Sequence, residues 1–474
     1  MRTLLIVHRY LGVVVGLVVA LWCLSGFVMM YRGFPAVTPG QRLKGLQALA
    51  LPASPGGLPD LGQASFDGFR LDMMAGRAVL RLSGEERPKI YDLAAGVPLE
   101  RIGPAGAVAE ASRFVAAEGV RGRPGPAILI DQDQWTVEGA GPRGAVYRVA
   151  FDDPASTVIY VAAHTGEVVQ ATDRQSRFWA SLGAVPHWLY PQVLRRHAWL
   201  WAQVVIWTSL AALFLIVTGL YVGIARFRRG GDARWSPYRG WRYWHHLAGL
   251  VFGLFTLTWV LSGLLTMSPW GLLESSASEK LQASLSRPVA AVDLNRFLSL
   301  ARGAVAPGAV SLESAPLGGR LFVVERFRDG HMLRLDARGR PAPLDRAELV
   351  AAMTAAGQEP ARMSLASAPD AYYYSGYDAA APLPVWKVSL SGDRTAYLDP
   401  ASGQVRLVVD GTARASRWIR TGLHDFDFPG LSARPLWDLV VLILLGGVSV
   451  GAISGAWLAI RRVALDLSRL RRTG

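Results

Sequence analysis

Four long apolar runs divide this 474-residue chain. They are Tyr10–Tyr31 between Arg9 and Arg32, Ala198–Ala225, Leu247–Leu273, and Leu439–Ile460 between Asp438 and Arg461. Each is long and uncharged enough to cross a bilayer core, which takes ~20 residues. Length alone would suggest about three globular domains, but the runs replace that picture with membrane spans and two large mixed-composition segments. The divisions read as span 1–32, outer segment 33–196, span 197–225, loop 226–243, span 244–273, outer segment 274–435, span 436–460 and tail 461–474.

Inside the outer segments the period changes. Ala107–Ala117, Leu294–Ala304 and Arg346–Ala356 have helical apolar spacing. Tyr147–Ala150 and Thr157–Ala162 alternate like half-buried strands before the turn His164-Thr165-Gly166-Glu167. Trp386–Leu390 and Thr395–Leu398, followed by Asp399-Pro400-Ala401-Ser402-Gly403-Gln404, repeat that pattern, and Ile90–Asp92 and Leu333–Asp336 are weaker versions. Each segment therefore reads as two small units of helix plus antiparallel sheet.

A shift of 237 positions, half the chain, carries His8, Gly12, Gly16, Trp22, Ser25 and Gly26 onto His245, Gly249, Gly253, Trp259, Ser262 and Gly263. It also carries Tyr160 onto Tyr397, Gly166 onto Gly403 and His187 onto His424. A duplicated membrane unit brings matching histidines to one depth, an arrangement that can hold a haem edge-on between helices. Electron transfer is the function this pattern suggests first.

Charge sets the orientation. The net charge of +14 is concentrated in Arg226, Arg228, Arg229, Arg234, Arg239 and Arg242, opposed only by Asp232, and in Arg461, Arg462, Arg469, Arg471 and Arg472. Short basic loops stay on the cytoplasmic side, so both termini are expected inside and both large segments outside. Arginines beside spans suit anionic lipid and give no reason to expect nucleic-acid binding. The single Cys23 excludes an intramolecular disulfide framework and a cysteine-ligated cluster, and reads as a small buried side chain. Met1–Gly26 lacks a small-x-small cleavage site and reads as a retained helix.

Several stretches carry a family resemblance. Tyr397-Leu398-Asp399…Ser402-Gly403-Gln404-Val405 and Tyr160…Thr165-Gly166-Glu167-Val168 resemble the closing strand and turn of PepSY domains. His8-Arg9-Tyr10-Leu11-Gly12, His187-Trp188-Leu189-Tyr190, Trp244–Gly249 and Leu423–Pro429 resemble the membrane pieces of PepSY-associated transmembrane proteins of bacterial inner membranes. His164 departs from the turn motif, where an acidic or polar residue is usual. The resemblance implies an α-helical membrane bundle of four transmembrane helices in two tandem repeats, with two α+β PepSY-like periplasmic domains. It further implies b-type haem, two groups in this reading, and reduction of a ferric siderophore during iron uptake.

The histidines are the candidate ligands. Ionisable side chains in spans are costly and usually mark function, and neutral imidazoles from two helices hold haem iron. At 100° per residue Gly12 lies ~40° and Gly16 ~80° from His8 around the helix, and Gly249 and Gly253 repeat this beside His245. A face without side chains suits either a flat porphyrin or close helix packing. His246 points ~100° from His245 and reads as ligand, propionate partner or interfacial residue. His187 and His424 precede spans two and four on the outer side, as an outer haem or metal site or as an interfacial pair. His197 lacks a mate but is kept as an asymmetric ligand, while His164 and His331 read as solvent-exposed.

Nothing here binds a nucleotide recognisably: there is no P-loop and no Gly-x-Gly-x-x-Gly after a strand. Electrons are therefore expected from quinol in the bilayer or from a cytoplasmic reductase. Tyr372, Tyr373, Tyr374 and Tyr377 form an aromatic cluster that could stack on a siderophore or belong to an ordinary strand. A haem-free regulatory scaffold and a non-redox transport accessory for siderophore or iron are the rival functions.

Overall fold

The apolar runs fold as long helices: Arg2–Met29, Ala198–Arg226, Trp241–Thr266 and Leu436–Thr473. All four hold a stretch long and apolar enough to cross a membrane, and the chain is a multi-pass membrane protein in a lipid bilayer. The computed structural model describes every residue except 1, 53–60, 85–87, 138–143, 228–234, 376–380 and 474. The loop residues Arg228, Arg229, Asp232 and Arg234, and Tyr377 of the aromatic cluster, lie outside the described residues.

The first helix starts earlier than its apolar run because Thr3–Val7 are themselves mostly apolar, which sets His8 two turns inside it. The fourth runs on through the expected tail, supported by an i,i+4 ion pair between Arg462 and Asp466 at 2.8 Å. The first and third helices each pack against the second and fourth, so they stand at opposite corners of the bundle. Glycines allow close approach: a Cβ on Gly447 would lie 2.4 Å from the Phe252 ring, and one on Gly253 would lie 2.6 Å from Leu220. Val15, Val19, Ala212, Leu215, Leu445 and Val448 fill the interior.

By its contacts the chain forms two units, residues 1–34, 178–274 and 412–474 in one and 35–177 and 275–411 in the other. Residues 178–196 and 412–435 thus pack with the long helices, although the pattern reading placed them in the outer segments.

The second unit holds the sheets. The expected strands form as Val146–Asp152, Val158–Ala162, Val385–Leu390 and Arg394–Leu398. The expected helices form as Pro104–Ala117, Ala291–Ala304 and Arg346–Ala355. Val158–Ala162 is buried at every position, not half-buried. Ile159 and Val161 join the core under Phe114, while Val158 and Tyr160 are covered from the other face by Ile130 and Trp135.

One feature departs from two units per segment. Gly68–Met74, Arg77–Ser83 and Lys89–Asp92 continue into Ala309–Ser314, Phe322–Phe327 and Met332–Asp336 as one six-stranded antiparallel sheet. The seam pairs Leu71 with Leu312 and Arg70 with Glu313. Three short strands leave an open edge, and joining two such sets removes one edge from each. Ion pairs flank the seam, with Arg81 on Asp72 at 2.9 Å, Arg326 on Glu313 at 2.9 Å, and Arg70 on Asp72 at 2.8 Å and on Glu167.

Candidate functional site

The long helices bring four histidines into two pairs. His8 of the first helix and His245 of the third face each other across the bundle, ring centres 6.2 Å apart and planes 33° apart. His187 and His424 form the second pair, also with ring centres at 6.2 Å, planes at 61°. His8 and Ser25, which touches His187, are seventeen positions apart on the first helix, and His245 and Ser262, which touches His424, are seventeen apart on the third. At 1.5 Å per residue the two layers are about 25 Å apart along the axis.

The hydrogen bonds decide which ring nitrogen is free. Nδ1 of His8 lies 3.0 Å from the Leu215 carbonyl and Nδ1 of His245 lies 3.0 Å from the Gly451 carbonyl. A carbonyl only accepts, so each Nδ1 carries the proton and, in the neutral ring, Nε2 keeps its lone pair. In the second pair Nδ1 meets a serine: Ser25 Oγ at 3.1 Å from His187 and Ser262 Oγ at 3.1 Å from His424. Ser25 donates its single proton to the Leu21 or Trp22 carbonyl, at 2.8 and 3.1 Å, and Ser262 donates to Trp259 at 3.1 Å. Both serine oxygens therefore accept from Nδ1–H, and again Nε2 is left with its lone pair. An Nδ1–H held by an acceptor orients the ring and raises the basicity of Nε2, as in metal-bound histidines.

Local backbone explains the second pair. His187 ends the short helix Ala184–His187 and His424 lies in Leu423–Asp425. Two residues on, Leu189 and Phe426 take left-handed φ values of 52° and 53°, an uncommon conformation for non-glycine residues that turns the chain towards the next long helix. Tryptophans of those helices pin the turns: Trp201 Nε1 donates to the Trp188 carbonyl at 2.9 Å and Trp437 Nε1 to the Asp425 carbonyl at 2.8 Å. Gly183 makes the approach possible, since a Cβ there would stand 2.8 Å from Val28.

The other expected ligands are placed differently. His246 is buried with both nitrogens engaged, Nε2 to the Gly223 carbonyl at 2.9 Å and Nδ1 to Ser236 Oγ at 2.8 Å. It stacks on Trp235 with ring centres 5.6 Å apart. No nitrogen of His246 remains for a metal. His197 is exposed at the start of the second helix, its Nε2 accepting from Arg196 at 3.2 Å. His164, expected in solvent, is half-buried and bridges the Glu100 and Pro88 carbonyls at 2.7 and 2.8 Å. His331 is exposed.

The expected glycines mostly face helices. Ideal Cβ positions on Gly12 and Gly16 lie 3.9 Å from Leu215 and Ala456, Gly253 meets Leu220, and Gly249 has no atom within 4 Å. The glycines that admit the imidazoles are others. A Cβ on Gly219 would lie 2.6 Å from Cε1 of His8, one on Gly455 2.9 Å from Cε1 of His245, and one on Gly263 3.2 Å from Cε1 of His424. The Gly219-x3-Gly223 and Gly451-x3-Gly455 spacings in spans two and four were the available signal.

In the sheet-bearing unit Tyr373 is buried and stacked on Tyr397 at 4.9 Å, its hydroxyl donating to the Pro382 carbonyl at 3.0 Å. Asp370 accepts from the Tyr372 and Tyr373 amides at 2.9 Å and from the Tyr397 hydroxyl at 2.7 Å. Tyr372 and Tyr374 are half-buried. Burial works against the Asp370 charge, but Lys387, the Tyr373 amide and the Tyr397 hydroxyl outweigh it and hold the carboxyl at about 2. Tyr160 donates to Asp133 at 2.7 Å in the same way. The shift of 237 carries Asp133 onto Asp370, a match visible in the sequence.

The family model of the PepSY-associated TM region matches residues 5–301, well over half of the chain. The chain belongs to this family. The match runs from the first long helix, through the second and third, into the segment that follows the third. No curated protein matches the chain.

Proposed function

We propose that this family member is an inner-membrane b-type haem protein that passes electrons across the membrane to reduce a periplasmic ferric chelate, a ferric siderophore in iron acquisition. Its halves act as two tandem repeats, both termini are cytoplasmic, and the sheet-bearing regions are PepSY-like periplasmic domains. Quinol or a cytoplasmic reductase supplies the electrons.

The observation that carries this reading is the pair of matched imidazole sandwiches. An imidazole nitrogen binds a metal at about 2.0–2.1 Å with its ring centre roughly 1.2 Å behind, so two imidazoles that shared one iron would have centres about 6.4 Å apart. Both pairs stand at 6.2 Å, with every Nδ1 held by an acceptor and every Nε2 left with its lone pair. Among the described residues no three His, Cys, Asp or Glu side chains gather as an ion site, so two protein ligands per centre suit a macrocycle that provides the remaining four.

His8 with His245 would hold the inner haem and His187 with His424 the outer one; haem supplies one-electron chemistry at each. The Leu215 and Gly451 carbonyls, Ser25 and Ser262 orient the ligands, and Gly219 and Gly455 let the inner rings reach the bundle interior. Apolar side chains such as Val15, Val19 and Leu445 keep water from the space between layers. Ferrous iron binds hard oxygen donors less tightly than ferric iron, so reduction outside the membrane releases the metal.

The optical spectrum of full-length protein purified from haem-replete cells tests this. Two haems per chain with a low-spin bis-histidine spectrum are expected, falling to one in the His8→Ala, His245→Ala double variant. No Soret band would refute the reading and leave the haem-free scaffold; two haems in the double variant would refute the inner assignment.

A further inference from the structure

We infer that Ser25 and Ser262 are positioning residues that set the outer haem at a higher reduction potential than the inner one, so that the electron path runs outward by construction. The inference rests on the haem reading above and concerns what differs between two otherwise matched sites.

The difference lies in the acceptor behind each ligand. Both inner imidazoles donate Nδ1–H to a main-chain carbonyl at 3.0 Å, with Ser454 Oγ a longer second contact of His245 at 3.4 Å, and both outer ones to a serine hydroxyl oxygen at 3.1 Å. An amide oxygen is the stronger acceptor. It draws the Nδ1 proton further, leaves more electron density on Nε2 and so stabilises ferric iron, which lowers the potential; hydrogen bonding behind the ligand is one of the protein's levers on haem. The Trp22 carbonyl also lies near His187, but Ser25 is the partner in hydrogen-bond geometry.

Formal charges stand near both pairs, Asp425 beside His424 among them. Arg9 and Arg242 near the inner end are exposed and screened over about 10 Å by salt. Asp427 near the outer end is neutralised by Arg417 at 2.9 Å. The Nδ1 contact, by contrast, acts through the bonds of the ligand itself.

Each step moves one electron. With haem at both pairs, the iron held by His8 and His245 would lose the electron that the iron held by His187 and His424 gains and passes to the ferric chelate. A quinol donor supplies two electrons in turn and releases two protons as it becomes quinone. Neither serine gains or loses a proton in these steps.

A spectroelectrochemical titration of the full-length, haem-loaded protein tests the inference. Wild type is expected to show two one-electron waves differing by at least tenfold in reduced-to-oxidised ratio, 59 mV. Ser25→Ala and Ser262→Ala remove the acceptor and should raise only the upper wave, by up to about tenfold in that ratio. Ser25→Thr keeps a hydroxyl and should titrate as wild type, while Ser25→Asp offers a stronger acceptor and should lower the upper wave. Should an alanine variant fail to fold, the wild-type waves and the threonine and aspartate variants still decide. Coincident wild-type waves, serine variants that move the lower wave, or an unmoved upper wave with two haems bound would overturn the inference and leave the haem reading standing. Protein without a Soret band would overturn both.

Discussion

Gly219→Ala is the most direct perturbation of the inner pair. The new methyl would stand 2.6 Å from Cε1 of His8. Restoring ordinary contact at 3.4 Å moves the ring by about 0.8 Å. The bond from Nδ1 to the Leu215 carbonyl, now 3.0 Å, would then open to about 3.8 Å, beyond hydrogen-bonding range. Overpacking costs about 1–3 kcal/mol and the lost bond about 1 kcal/mol, so about 2–4 kcal/mol is set against ligation at the inner site. At 1.4 kcal/mol per factor of ten, haem should bind there roughly 30-fold to several hundred-fold more weakly. The assay is haem stoichiometry per chain by pyridine haemochrome, with dilution to expose the weak site. The outer pair is the internal control, since Gly219 does not touch it. Two tightly held haems in Gly219→Ala, with an unchanged spectrum, would refute the argument that this glycine makes room for an axial ligand.

Two further predictions follow from the placement of side chains. His246→Ala should retain both haems but lower the melting temperature, because both nitrogens of His246 serve protein acceptors and donors; loss of the inner haem would restore His246 as the ligand. For Glu167, burial opposes the charge, yet Arg70 and Arg81 hold its carboxyl at about 2, below its ordinary 4.5. A lowered carboxyl stabilises the fold above its unfolded value and loses that contribution as pH falls through the folded one. Melting temperature should therefore decline from about pH 4.5 towards pH 2, and Glu167→Gln should flatten that part of the profile; an identical slope in the variant would refute the pairing.

Much was legible along the chain. Apolar length without charge gave all four long helices, because a bilayer core demands both properties of a local stretch. Alternation and helical period located the strands around Tyr160 and Tyr397 and the helices at 104–117 and 346–355, since each buries one face. The shift of 237 chose His8, His245, His187 and His424 over His197.

Other features required the fold. The pattern had no way to tell that His245 keeps a free Nε2 while its neighbour His246 spends both nitrogens, because those partners, Gly451, Gly223 and Ser236, come from other parts of the chain. It pointed to Gly12 and Gly16 as the face for a ligand, whereas Gly219 and Gly455 meet the rings from the neighbouring helices. The six-stranded sheet was equally hidden, since its seam at Leu71 and Leu312 joins strands about half the chain apart. Sequence by itself determined what is periodic and local: spans, strands, and which histidines have a mate. Tertiary structure alone decided which side chains face one another and which ring nitrogen is left free, since hydrogen bonds and close contacts depend on distances between segments that no local period encodes.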